Sequence, residues 1–138
     1  EDAHNDQGAI LIEERQKATQ FKNKIKPIIK DPSLPDWSLA AIKLAADNGE
    51  LVLGCKGIVF DMSANRKAYG KGGSYNSFIG NDASVSLAKM EFKADFMNPS
   101  VMHWRTSLTV RELEQLEYWV SKFSEKYQIV GYISEDQK

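Results

Sequence analysis

A single cysteine, Cys55, in 138 residues rules out an intramolecular disulfide and any cysteine-rich metal site. Imidazoles are almost as scarce. His4 and His103 are the two present, far apart and without the helical pair spacing of a histidine metal centre. That shortage, with no Gly-x-Ser-x-Gly elbow, argues against Ser-His-Asp hydrolysis. An excess of one charge is missing as well: 18 basic residues face 19 acidic ones, so no global field favours nucleic acid or an anionic membrane surface. No run approaches the roughly 18 consecutive apolar residues of a membrane span, and Glu1-Asp2-Ala3-His4 does not open a signal peptide. The chain as it stands reads as soluble. Membrane association would need a segment outside it, or weak binding by its N-terminal helix. Localisation stays open between an endoplasmic-reticulum or endomembrane association and secretion.

What is present suffices for one core, since 42% of the residues are hydrophobic. Leu11, Ala18, Phe21, Ile25 and Ile28 recur at three-to-four-residue spacing, predicting an amphipathic helix over residues 8–28. Pro27, Pro32 and Pro35 then make residues 27–36 an extended connector. Ser38 caps a short helix through Ala46 that ends at Asn48-Gly49. Residues 51–55 and 58–60 form a hairpin around Lys56-Gly57, and Cys55 within it reads as a buried, inert thiol. Asp82 is the expected cap of a helix carrying Val85, Leu87, Ala88 and Met90, followed by a loop over residues 93–107. Thr109-Val110-Arg111-Glu112 has capping-box spacing, and Leu113, Leu116, Val120, Phe123 and Tyr127 continue it as the strongest helix. Residues 129–133 close as a strand.

The stretch from Asn65 to Gly80 has the texture of a functional loop, rich in Gly, Ser, Asn and aromatics. Gly70-Lys71-Gly72-Gly73 lacks both the Gly-x4-Gly-Lys-Ser/Thr and the Gly-x-Gly-x-x-Gly patterns, so a phosphate loop is disfavoured against simple turn geometry. The glycines allow Tyr69 and Tyr75, on either side, to meet at one concavity. A phenol can ligate ferric haem iron. Taken alone, two such tyrosines more often pack with their hydroxyls toward solvent.

The order of motifs narrows these alternatives. Lys56-Gly57-Ile58-Val59-Phe60-Asp61-Met62-Ser63 precedes Tyr69-Gly70-Lys71-Gly72-Gly73-Ser74-Tyr75-Asn76-Ser77-Phe78, then Gly80-Asn81-Asp82-Ala83-Ser84 and Leu87-Ala88. Leu108-Thr109, Leu113, Leu116, Trp119, Phe123, Lys126-Tyr127 and Val130-Gly131 follow. This set resembles the membrane-associated progesterone receptor family over residues 37–133, leaving residues 1–36 as an N-terminal extension and 134–138 as a polar tail. The resemblance implies an α+β, cytochrome b5-like domain, with a small mixed sheet and short helices around an open haem cleft. It implies haem b, in the ferric state, as cofactor. Tyr75 would be the axial iron ligand and Tyr69 its neighbouring phenol. Lys126 and Tyr127 would line the same pocket, with Lys126 placed to attract a haem carboxylate. Lys71 and Ser74 in the loop, Val85-Ser86 after Ser84, and Trp37-Ser38-Leu39-Ala40-Ala41-Ile42 at the opening depart from the family pattern.

The implied role is non-enzymatic: binding ferric haem and regulating, or delivering haem to, partners such as haem-thiolate mono-oxygenases, with a sterol or steroid link and haem-dependent homodimerisation. The alternatives are a secreted or luminal signalling domain resembling neudesin, a one-electron transfer protein, and an interaction module that has lost haem.

Overall fold

A computed structural model describes residues 28–134. The helix expected over residues 8–28 lies, except for its last residue, outside the described residues, as does most of the polar tail. In chain order the regular elements are β1 (Asp36–Trp37), α1 (Leu39–Asp47), β2 (Val52–Cys55), β3 (Ile58–Asp61), α2 (Arg66–Tyr69), α3 (Ser84–Lys89), α4 (Val110–Lys126) and β4 (Gln128–Ile133). Three 3-10 turns, Ser63–Asn65, Asn76–Phe78 and Ala94–Met97, fill the connections.

The four strands form one mixed sheet in the order β1-β4-β3-β2, parallel between β1 and β4 and antiparallel elsewhere. Both faces of its centre are covered, so β2 and β3 are apolar at nearly every position and do not alternate. Val52 and Val59 point to one side, where Ile42 and Ala45 of α1 cover them. Leu53, Cys55, Ile58 and Phe60 point to the other and build the larger core with Leu87, Leu116 and Phe123. Cys55 is 0% exposed, and burial pushes its thiol well above its ordinary value. It is the inert core thiol expected.

Most of the local expectations hold for the expected reasons. The Ser38 side chain accepts from the Ala41 N–H at the start of α1. Lys56 and Gly57 both take the positive φ that a tight hairpin turn demands, at 52° and 78°. At the start of α4 the capping box is complete: Thr109 Oγ1 accepts from the Glu112 N–H at 3.1 Å, and the Glu112 carboxylate accepts from the Thr109 N–H at 2.9 Å.

Three details differ. Asp82 is not the cap of α3; Ala83 is, and Asp82 Oδ1 instead accepts from the Ser84 N–H and hydroxyl in an Asx turn one residue earlier. Tyr127 is not helical: α4 stops at Lys126, and Tyr127 is extended at φ −129° and ψ 153°, already turning into β4. The connector ends in a strand, because Asp36 and Trp37 pair with Tyr132 and Ile133 of β4. That pairing depends on Gly131, whose φ is +157° and where a Cβ would lie 2.4 Å from Trp37 Cδ1 and Nε1. Trp37 packs against this glycine and donates its indole N–H to the Val130 carbonyl at 3.1 Å.

Gly131→Ala should therefore cost roughly 1–3 kcal/mol, the range for forced overpacking; a urea midpoint that drops with an unchanged slope would report it. Glu112 should make stability depend on acid. Burial raises its pKa, but the Thr109 N–H and the Lys89 ammonium, 3.2 Å from both carboxylate oxygens, outweigh that and hold it below its ordinary value. A depressed carboxylate contributes stability that is complete above its unfolded pKa and lost as pH falls through the folded one. Unfolding followed from pH 6 downward should show that loss, and Glu112→Gln should flatten it.

Candidate functional site

The loop between α2 and the Asn76–Phe78 turn is folded back on itself by backbone hydrogen bonds. Asn65 caps α2, accepting from the Ala68 N–H through Oδ1. After Tyr69 the chain reverses: the Gly70 N–H bonds to the Arg66 carbonyl at 2.8 Å, the Gly73 N–H to Gly70 at 2.9 Å, and the Tyr75 N–H to Ala68 at 2.8 Å. The Asn76 side-chain amide donates to the Tyr69 carbonyl at 2.9 Å. A Cβ at Gly70 would sit 2.5 Å from the Arg66 carbonyl oxygen, and one at Gly73 would sit 2.3 Å from that of Ala68. The glycines are therefore there for close backbone approach, not for a phosphate.

The reversal brings the two tyrosines together. Tyr69 is 3% exposed, and its ring centroid lies 5.5 Å from that of Tyr75. Tyr127 meets Tyr69 edge-on at 5.9 Å, rests edge-on against Phe123 at 5.7 Å, and accepts a long 3.4 Å hydrogen bond from the Asn65 amide. Three of the four residues named from the sequence thus share one cluster. Lys126 is next to Tyr127 in the chain, with its side chain exposed on the last turn of α4. Asn65 and Phe92 are additional members that sequence reasoning missed. Tyr75 stacks with Phe78 at 5.8 Å and with Phe92 at 5.9 Å, and its hydroxyl is buried. Phe92 reaches this position because Met90 ends α3 in a left-handed conformation and turns the chain back.

The donor set here consists of phenols. His103 lies instead around a cavity with Gly57 and Leu39, at the opposite end of β3 from Asn65. Among the described residues no group of three or more His, Cys, Asp or Glu could hold a bare metal ion, and no helix is long and apolar enough to cross a membrane. A cluster of one buried and two partly buried phenols fits ferric iron in its chemistry, because a phenolate is an anionic oxygen donor that suits iron(III).

Comparison with known proteins bears on the fold and the family. No family model matches the chain. Probable steroid-binding protein 3 of Arabidopsis thaliana is 40% identical over 78 residues, covering 56% of this chain and 74% of that protein. The cytochrome P450 regulator dap1 of Schizosaccharomyces pombe is 34% identical over 107 residues, covering 74% of this chain and 64% of the relative. The chain spans only 30% of the membrane steroid-binding protein 2 of Oryza sativa. Among solved structures, a hypothetical Arabidopsis thaliana protein described as having a cytochrome b5-like fold superposes with a TM-score of 0.63 at 28% identity, over 80% of this chain and all of the other. The fold is α+β and cytochrome b5-like. The chain belongs to the membrane-associated progesterone receptor family, whose human component 2 is 32% identical to it over 98 residues.

Gly73→Ala tests whether the loop glycine sets the tyrosine pair. The added methyl collides with backbone carbonyls that cannot rotate away, so the Tyr75 to Ala68 hydrogen bond should break. NMR spectra should show changed ring shifts for both Tyr69 and Tyr75, together with a stability loss of about 1–3 kcal/mol. Unchanged shifts would mean that the pair forms without the reversal.

Proposed function

We propose that residues 37–133 form a domain that holds ferric haem b through Tyr75 and acts on partner proteins without catalysing a reaction itself. The observation that carries this reading is the cluster of Tyr69, Tyr75 and Tyr127 at one end of the sheet. When bound, the haem would supply a ferric centre whose potential an anionic phenolate keeps low. Tyr75 is the ligand in this reading, because the family motif puts the axial oxygen at this position and it stands on the pinned loop. Tyr69 packs beside it and tunes the basicity of its oxygen, as neighbouring donors do for ligands generally. Tyr127 walls the pocket, and the exposed Lys126 ammonium is available to a haem carboxylate.

Regulation is favoured over electron transfer by that low potential, and by the relative named as a regulator of cytochrome P450. Haem-thiolate mono-oxygenases are accordingly the proposed partners. The relatives named as steroid-binding proteins supply the sterol link. An apolar macrocycle held by Tyr75 alone would remain partly uncovered, and burying it against a second copy would favour haem-dependent pairing.

Tyr75→Phe removes the ligating oxygen and keeps the ring in its stack with Phe78 and Phe92. It should weaken ferric haem binding by at least about tenfold, the order of losing one strong polar interaction, with an unchanged urea midpoint. Tyr69→Phe should cost less. Hemin titration of the three proteins measures this, and equal affinities would remove Tyr75 from the role of ligand.

A further inference from the structure

At the other end of β3, around the β2–β3 turn, the chain builds a second concavity that the haem reading does not use. It encloses about 390 Å³, within the range of small-molecule pockets. Trp104, Leu39, Pro99 and Ile133 supply its apolar wall. The Trp104 ring edge lies near Gly57 in the turn, 3.9 Å from where a Cβ would stand. Gly57, Ile133 and Arg105 also line an adjoining basin of about 260 Å³, to which Lys30 and Lys56 contribute. An apolar chamber therefore meets a basin bordered by three cations, and Arg105 belongs to both.

The charges around this junction are unevenly distributed. Asp82 lies in the chamber's wall, with one carboxylate oxygen taken up by the Ser84 N–H and hydroxyl. Lys56 is paired with Glu117. Burial holds the pKa of Lys56 below its ordinary value, with the Arg105 guanidinium a smaller contribution in the same direction. Lys30 lies 5.1 Å above the Tyr132 ring, and Arg105 lies 4.3 Å above the Trp104 ring. The cations thus rest on aromatic faces at the edge of an apolar space. An anion's head at the basin would be attracted by both Lys30 and Arg105 while its apolar portion displaced water from the chamber.

We propose that this paired chamber binds a small anionic amphiphile, its apolar body against Trp104 and Leu39 and its carboxylate, sulfate or phosphate end toward Arg105 and Lys30. The volume equals roughly a dozen waters at about 30 Å³ each, which suits a body of about ten carbons. None of Tyr69, Tyr75 and Tyr127 lines either cavity, so the site stands or falls independently of haem.

The test titrates the full ¹⁵N-labelled chain with decanoate, decanol and sodium acetate. It is followed at the Trp104 indole N–H, the Gly57 amide and the Arg105 Nε. Decanoate should give saturable shifts at all three, decanol should bind at least about tenfold more weakly, and acetate should bind more weakly still. Arg105 is exposed, so Arg105→Gln should fold; it should weaken decanoate roughly tenfold, the scale of one charge-assisted hydrogen bond, and leave decanol unchanged. Equal affinity for decanoate and decanol would overturn the proposal, as would acetate binding as tightly as decanoate, shifts confined to the tyrosine cluster, or no saturable shift.

Discussion

The hydrogen bond from the Tyr75 N–H to the Ala68 carbonyl, 2.8 Å long, is the contact on which the candidate site depends. It closes a loop whose two ends carry the phenols. It can form only because Gly73 has no Cβ to strike the carbonyls of Lys67 and Ala68, the nearer of which would stand 2.3 Å away. Everything nearby follows from that closure. Tyr69 is held at the end of α2, Tyr75 returns beside it, and Asn76 ties the second half of the loop to the first. The larger core supplies the floor, with Phe123 and Tyr127 of the α4 and β4 junction stacked edge to face below the pair.

The sheet keeps two ends of the domain apart. β3 is four residues long, with the turn of Lys56 and Gly57 at one end and the path to Asn65 and α2 at the other. Phenols collect at the second end, whereas Trp104, Arg105 and Lys56 collect at the first. Burial of β2 and β3 on both faces makes this frame rigid, and the loops attached to its ends carry the chemistry. α3 and α4 are further locked by Lys89 and Glu112, so the segment after α3 that carries Phe92 starts from a fixed point.

Elements governed by local chemistry were legible in the sequence. The hairpin is dictated by two residues able to take positive φ, α1 by Ser38, and α4 by a capping box followed by a helical apolar period. Tyr69, Tyr75 and Tyr127 could be named from the ordered family motifs, and the structure brings them together. Features set by distant partners were not legible. β1 is two residues long and exists because Gly131, near the other end of the domain's sequence, makes room for Trp37. Asp82 forms an Asx turn because Ser84 follows it at the right distance, a choice that local cap preferences leave open. Tyr127 leaves the helix because β4 must begin immediately. No spacing in the sequence marks Phe92, and only the left-handed Met90 aims it at Tyr75. The basic basin joins residues from the N-terminal connector, the hairpin turn and the loop before α4, which no spacing rule connects.

The central claim is that an anionic phenol from this cluster ligates ferric iron. Resonance Raman spectroscopy of the hemin-loaded chain addresses it most directly, with excitation in the phenolate-to-iron charge-transfer band. The account predicts enhanced phenolate ring modes that persist in Tyr69→Phe and vanish in Tyr75→Phe. A spectrum of histidine-ligated, low-spin iron without those modes would contradict it.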